Sequence, residues 1–98
     1  MYNIEFEPKA DAEYQHAYAW YEQRLPGLGE RFERCSDRKI SSISTTPLLY
    51  PAKKYDIREC KINDFPYLII YKFYPQRQLI LIISIFHTKR NPIKKLKR

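Results

Sequence analysis

Only two glycines occur in this chain, Gly27 and Gly29, and they stand almost side by side. Everywhere else the backbone lacks the residue that most readily supplies tight turns, so this pair marks one sharp reversal. Cysteine is equally scarce. Cys35 and Cys60 lack metal-ligand spacing and form no cluster with His16 and His87, which argues against a disulfide framework or a metal site. They read as two reduced thiols of a cytosolic protein, and nothing requires a disulfide between them. Long apolar runs are missing too. No segment approaches the roughly 18 apolar residues of a membrane span, and Met1-Tyr2-Asn3-Ile4-Glu5 lacks the basic-then-apolar order of a signal peptide. The expectation is a cytoplasmic protein without a membrane partner or a cofactor.

What is present suits one folded domain. At 98 residues the chain has length for a single core of a few helices and one sheet. Hydrophobic residues make up 44% and aromatics 15%, nine of them Tyr, a globular rather than a disordered composition. The formal charge of +7 is unevenly placed: residues 89–98 hold six Lys or Arg and no acid, whereas residues 1–88 hold twelve against eleven acids. A domain over residues 1–92 with a basic tail over 93–98 is the resulting division. Such a tail is the electrostatic footprint of contact with nucleic acid or an acidic partner, and equally that of a solvated terminus.

Tyr2, Ile4 and Phe6 alternate with Asn3 and Glu5, the period of a half-buried strand. Pro8 then opens a helix, with Asp11 and Glu13 in the turn where the helix dipole favours negative charge. Ala10, Tyr14, Ala17, Tyr18, Tyr21 and Leu25 fall on one stripe of that helix, which should end near Arg24 at the Pro26-Gly27-Leu28-Gly29 break. A second, antiparallel helix is expected over 29–45, with Leu28, Phe32, Cys35, Ser36, Ile40 and Ile43 inward. Ser36 and Lys39 dilute its stripe, which suggests a helix over the sheet edge or beside a groove. Pro47 and Pro51 end it. Three strands follow at 55–62, 67–74 and 79–87, the last two joined by Pro75-Gln76-Arg77-Gln78 as a hairpin. The last strand is apolar on both faces, Leu79, Leu81, Ile83 and Ile85 against Ile80, Ile82 and Phe86, as in a central strand.

Several cues recur in register along this β-α-α-β-β-β order: Tyr18 to Tyr21 with Trp20, Leu25-Pro26-Gly27-Leu28-Gly29-Glu30-Arg31-Phe32, Ile43 with Pro47, Arg58, Phe65-Pro66-Tyr67, Tyr71, and His87 before Thr88-Lys89-Arg90-Asn91-Pro92. Together they resemble the RelE/ParE toxin superfamily, most closely its ParE-type branch, over nearly the whole chain. The resemblance implies an α+β fold, a helical hairpin packed on a mainly antiparallel four-stranded sheet. It also implies the toxin of a bacterial type II toxin-antitoxin module, a plasmid-stabilisation function, neutralised by a cognate antitoxin. ParE-like growth inhibition through DNA gyrase is the first reading. RelE-like cleavage of mRNA on the ribosome is the alternative, and an inactive family member the second alternative.

Metal-free RNA cleavage through the 2′-hydroxyl needs a base, cations for the charge on phosphorus and an acid for the leaving oxygen. His87 supplies the side-chain type used as a base near neutral pH, Arg58 has the donor fork to brace a phosphate, and Lys53, Lys54, Lys89 and Arg90 add positive field. Against this, Thr88 follows His87 and the tail holds no tyrosine, where the nuclease branch often carries an aromatic. Each residue also has a plainer reading. His87 lies in phase with Leu81, Ile83 and Ile85 at a strand end, and Arg58 can pair with Asp56 or Glu59 on the sheet surface. Phe65-Pro66-Tyr67 can serve as the device that starts a strand. Trp20 points off the helix stripe, as a flank of the hairpin or part of a protein interface. On the inhibitor reading, Lys53, Lys54, Tyr67, Lys89, Arg90 and Trp20 are binding residues.

Overall fold

The computed structural model describes residues 1–89. Strand β1 (Asn3–Phe6) leads into helix α1 (Pro8–Arg24), a short turn and helix α2 (Leu28–Thr45). Strands β2 (Ile57–Lys61), β3 (Tyr67–Tyr74) and β4 (Leu79–His87) complete the domain. The sheet order is β1-β4-β3-β2. The last three strands pair antiparallel, while β1 lies parallel to β4, so the sheet is mixed and β4 is central as expected.

Local chemistry explains the boundaries. Pro8 occupies the first turn of α1, where its missing N–H costs nothing. Gly27 precedes α2 with φ of 93°, a conformation that L side chains rarely adopt. Tyr2 and Ser44 tie the N-terminus to the end of α2, each through the other's backbone: Tyr2 N–H donates to Ser44 O at 3.0 Å and the Ser44 hydroxyl to Tyr2 O at 2.7 Å.

Both helices cover one face of the sheet. Ala10, Ala17, Phe32, Cys35 and Ile43 pack against Cys60, Ile62, Tyr67, Ile69, Tyr71, Ile80, Ile82 and Ile85. Segregation of helices to one side of an antiparallel-rich sheet is the α+β solution to burying both amphipathic surfaces. The dilution of α2 by Ser36 opens no groove: Ser36 is fully buried, and its hydroxyl donates to Phe32 O at 2.8 Å. A serine that satisfies its own helix carbonyl behaves as a small core residue.

The strand faces differ from strict alternation. Ser84 lies opposite Ile70 and Ile82 opposite Tyr71, leaving Ile83 as an extra residue. This bulge shifts the parity of everything after it. Ile85 joins Ile80 and Ile82 in the core, and His87 faces the helix side opposite Tyr67, out of phase with Leu81. Ile70, Leu79 and Phe86 are buried on the other face. Where β1 ends, α1 takes over the edge of β4. Glu13 Oε1 accepts from Ile85 N–H at 3.1 Å and from the Ser84 hydroxyl at 2.8 Å.

Candidate functional site

The residues singled out in the sequence fall at three places. At one end of the sheet Tyr67 and His87 are cross-strand partners whose rings meet edge to face at 4.9 Å. The Lys89 N–H donates to His87 Nδ1 at 3.2 Å. Thr88 donates its N–H to Pro66 O at 2.9 Å and its hydroxyl to the same atom at 3.2 Å. The Phe65-Pro66-Tyr67 run therefore starts β3 and anchors the end of β4.

Trp20 belongs to the same neighbourhood through a chain of rings. It meets Tyr21 edge to face at 5.2 Å, and Tyr21 contacts Phe65 at 4.9 Å and Tyr67 at 6.3 Å. The Arg24 guanidinium stacks 4.2 Å from the Trp20 ring centre. Trp20 is 36% exposed, a half-presented aromatic with a cation on it, the residue pair that dominates many protein interfaces.

Arg58 stands elsewhere. It lies opposite Tyr71, on the helix side of the sheet, and its guanidinium donates to Tyr50 O. Tyr71, fully buried, donates its hydroxyl to Pro47 O at 2.6 Å. Burial pushes the Tyr71 phenol up to about 12, against the pull of the Arg58 charge. The Tyr50 hydroxyl meets Ser42 Oγ at 3.1 Å. Burial likewise raises the Cys60 thiol above its ordinary value, which keeps it protonated and unreactive. These groups strap the segment after α2 onto the sheet. The Arg58 guanidinium thus serves a backbone carbonyl.

Lys53 and Lys54 follow that strap. The Lys53 N–H donates to Ile57 O at 2.6 Å, and Ala52 bridges Arg58 as an antiparallel pair, so β2 begins two residues later than the sequence suggested. Tyr55 and Asp56 fill the gap with left-handed φ of 60° and 59°. Arg90 lies outside the described residues, as does the basic tail.

Register measures the separation of the two candidate catalytic residues. Arg58 is opposite Tyr71 and His87 opposite Tyr67, on opposite sides of β3. That is about 13 Å along the strand and about 10 Å across it. Among the described residues, no three His, Cys, Asp or Glu side chains gather as a metal site would require. No helix there is long and apolar enough to cross a membrane.

Sequence reasoning missed Glu13, Tyr50 and Lys61, whose Nζ donates to Ile62 O at 3.0 Å and Phe65 O at 2.8 Å. Glu13 acts across some seventy residues, and Lys61 and Tyr50 act through backbone carbonyls or a hydroxyl that a hydropathy pattern does not show. It also missed the outward display of Leu48, Leu49 and Tyr55, which are 63%, 65% and 74% exposed.

Among solved structures, the fold is similar to the chromosomal ParDE toxin-antitoxin system from P. aeruginosa, at 14% identity and a TM-score of 0.74, covering 89% of this chain and 96% of that one. It is similar to the intact E. coli RelBE toxin-antitoxin complex at 17% identity and TM-score 0.69, over 92% of this chain and 100% of that one. The isolated E. coli RelE toxin matches at 15% identity and TM-score 0.69, over 99% and 95%. No curated protein sequence matches at a significant level. Residues 4–92 match the family described as the ParE toxin of the type II toxin-antitoxin system, parDE, and the chain belongs to that family.

Proposed function

We propose that this ParE-type toxin arrests growth by binding a protein target, DNA gyrase, and is held inactive by a cognate antitoxin. The observation that carries this reading is the separation of Arg58 from His87. A scissile phosphate needs its base and its bracing cation within hydrogen-bond reach of one site. Here one residue is tied to the Tyr50 carbonyl, and the other packs on Tyr67 two strands away. Lys53 and Lys54 lie with Arg58, not with His87. The half-exposed Trp20 with its stacked Arg24 is the kind of surface that a protein target engages. The antitoxin part of the reading is supported by the similar ParDE and RelBE folds, both of them toxin-antitoxin systems.

The test is induction of the toxin without its antitoxin. DNA breaks and an SOS response, with intact mRNA, are expected. Cuts within coding regions of translated mRNA would instead establish ribosome-dependent nuclease action. Unimpaired growth at confirmed expression would mean an inactive family member.

A further inference from the structure

We infer that the segment over residues 47–56 is a preformed docking ridge for an acidic, apolar-rich segment of the antitoxin. This rests on the reading of the chain as an antitoxin-held toxin. The ridge is pinned from below through its main chain. Tyr71 holds the Pro47 carbonyl, Arg58 holds the Tyr50 carbonyl, and Ile57 O holds the Lys53 N–H. With its backbone anchored inward, the ridge turns Leu48, Leu49 and Tyr55 to solvent. These are three of the six large hydrophobic residues that are exposed among the described residues. Tyr55 and Asp56, both with left-handed φ, turn the chain at the end of this segment.

Charge selects the occupant. Lys53 and Lys54 border the apolar display, both exposed, and neither has an ion-pair partner among the described residues. Arg58, with its guanidinium on the Tyr50 carbonyl, adds a further cation beside the segment. Asp56 is the one acid in the segment. A protein segment that alternates carboxylates with aliphatic side chains satisfies lysines and leucines together. An RNA strand would neutralise the lysines but leave the two leucines without partners, since bases stack on aromatic and guanidinium planes. A pinned ridge also loses little conformational freedom on binding.

The test titrates the purified product of the small gene adjacent to the toxin's, as its candidate antitoxin, into wild type, Leu48→Ser/Leu49→Ser and Lys53→Glu/Lys54→Glu at two salt concentrations. Circular dichroism checks that both variants fold, as exposed substitutions should allow. Both are expected to weaken binding by roughly tenfold or more, and the charge reversal should also flatten the salt dependence. Wild-type affinity in both folded variants would overturn the ridge while leaving the toxin reading intact. No binding by wild type would overturn that reading itself, and the ridge with it. Loss of affinity for a poly(A) RNA probe, with antitoxin binding unchanged, would assign the surface to nucleic acid and overturn the proposal.

Discussion

Glu22 reaches from α1 to the start of α2, where its Oε1 accepts the Gly29 N–H at 2.9 Å and its Oε2 the Gly27 N–H at 3.0 Å. One carboxylate thus satisfies two N–H groups at the start of a helix and sits at the positive end of its dipole. The same closeness explains why position 29 is glycine. A Cβ there would stand 2.8 Å from Glu22 Oε1 and 2.9 Å from Tyr18 O. Gly29→Ala should destabilise the domain by about 1–3 kcal/mol through overpacking, and Glu22→Ala by about 1–2 kcal/mol through loss of the cap. In urea unfolding the double variant should lose less than the sum, because the first substitution's clash is partly with the group that the second removes.

Alkali should loosen the strap before it harms the rest. Tyr71 ionises near 10 when unfolded and near 12 in the fold, and burial moves Tyr14 in the same direction. A phenol whose folded value is raised lends stability that is complete below pH 10 and is lost as pH climbs toward 12. Unfolding curves measured from pH 8 to 12 should be flat at first and then decline. Tyr71→Phe should remove part of that decline and cost about 1–3 kcal/mol at neutral pH, since it orphans the Pro47 carbonyl.

Two substitutions separate chemistry from scaffold in live cells. His87→Ala should leave growth arrest in place, reduced only as far as the loss of its contact with Tyr67 lowers stability. Arg58→Ala should cost about 1–3 kcal/mol because the Tyr50 carbonyl loses its donor. Toxicity should then fall in step with the melting temperature. A harmless but fully stable His87→Ala protein would contradict the proposed mode of action and favour catalysis at that residue.

Both thiols should be silent in the native protein. Cys35 and Cys60 are buried, and Cys60 is also held protonated. A chromogenic thiol reagent should label neither until denaturant is added, and then label both at the unfolding rate. Rapid labelling of one cysteine in buffer would show a local opening that the fold does not suggest.

The sequence was legible where periodicity and turn chemistry act locally. The bounds of β3 and β4 match the expected 67–74 and 79–87 to the residue, and α1 runs from Pro8 to Arg24 as its proline and its glycine break required. Legibility failed where distant backbone supplies the partner. The bond from Arg58 to Tyr50 O was illegible in advance, because a backbone carbonyl has no side-chain signature. Ser36 looked like a flaw in a stripe because the Phe32 carbonyl that satisfies it is invisible in a hydropathy pattern. The left-handed pair Tyr55 and Asp56 shortened β2 without any glycine to give warning.

The bulge at Ile83 gives the last strand one residue more than its partner needs. Ile82 already stands opposite Tyr71 and Ser84 opposite Ile70, neighbouring positions of β3, so a strand without Ile83 would run on in regular alternation. Ile85 and His87 would keep the helix side and Phe86 the other. In β3, which carries no spare residue, the loss of one position would turn every later side chain to the opposite face. The toxin's last strand can therefore absorb the loss of a single codon at the bulge, which its neighbour cannot.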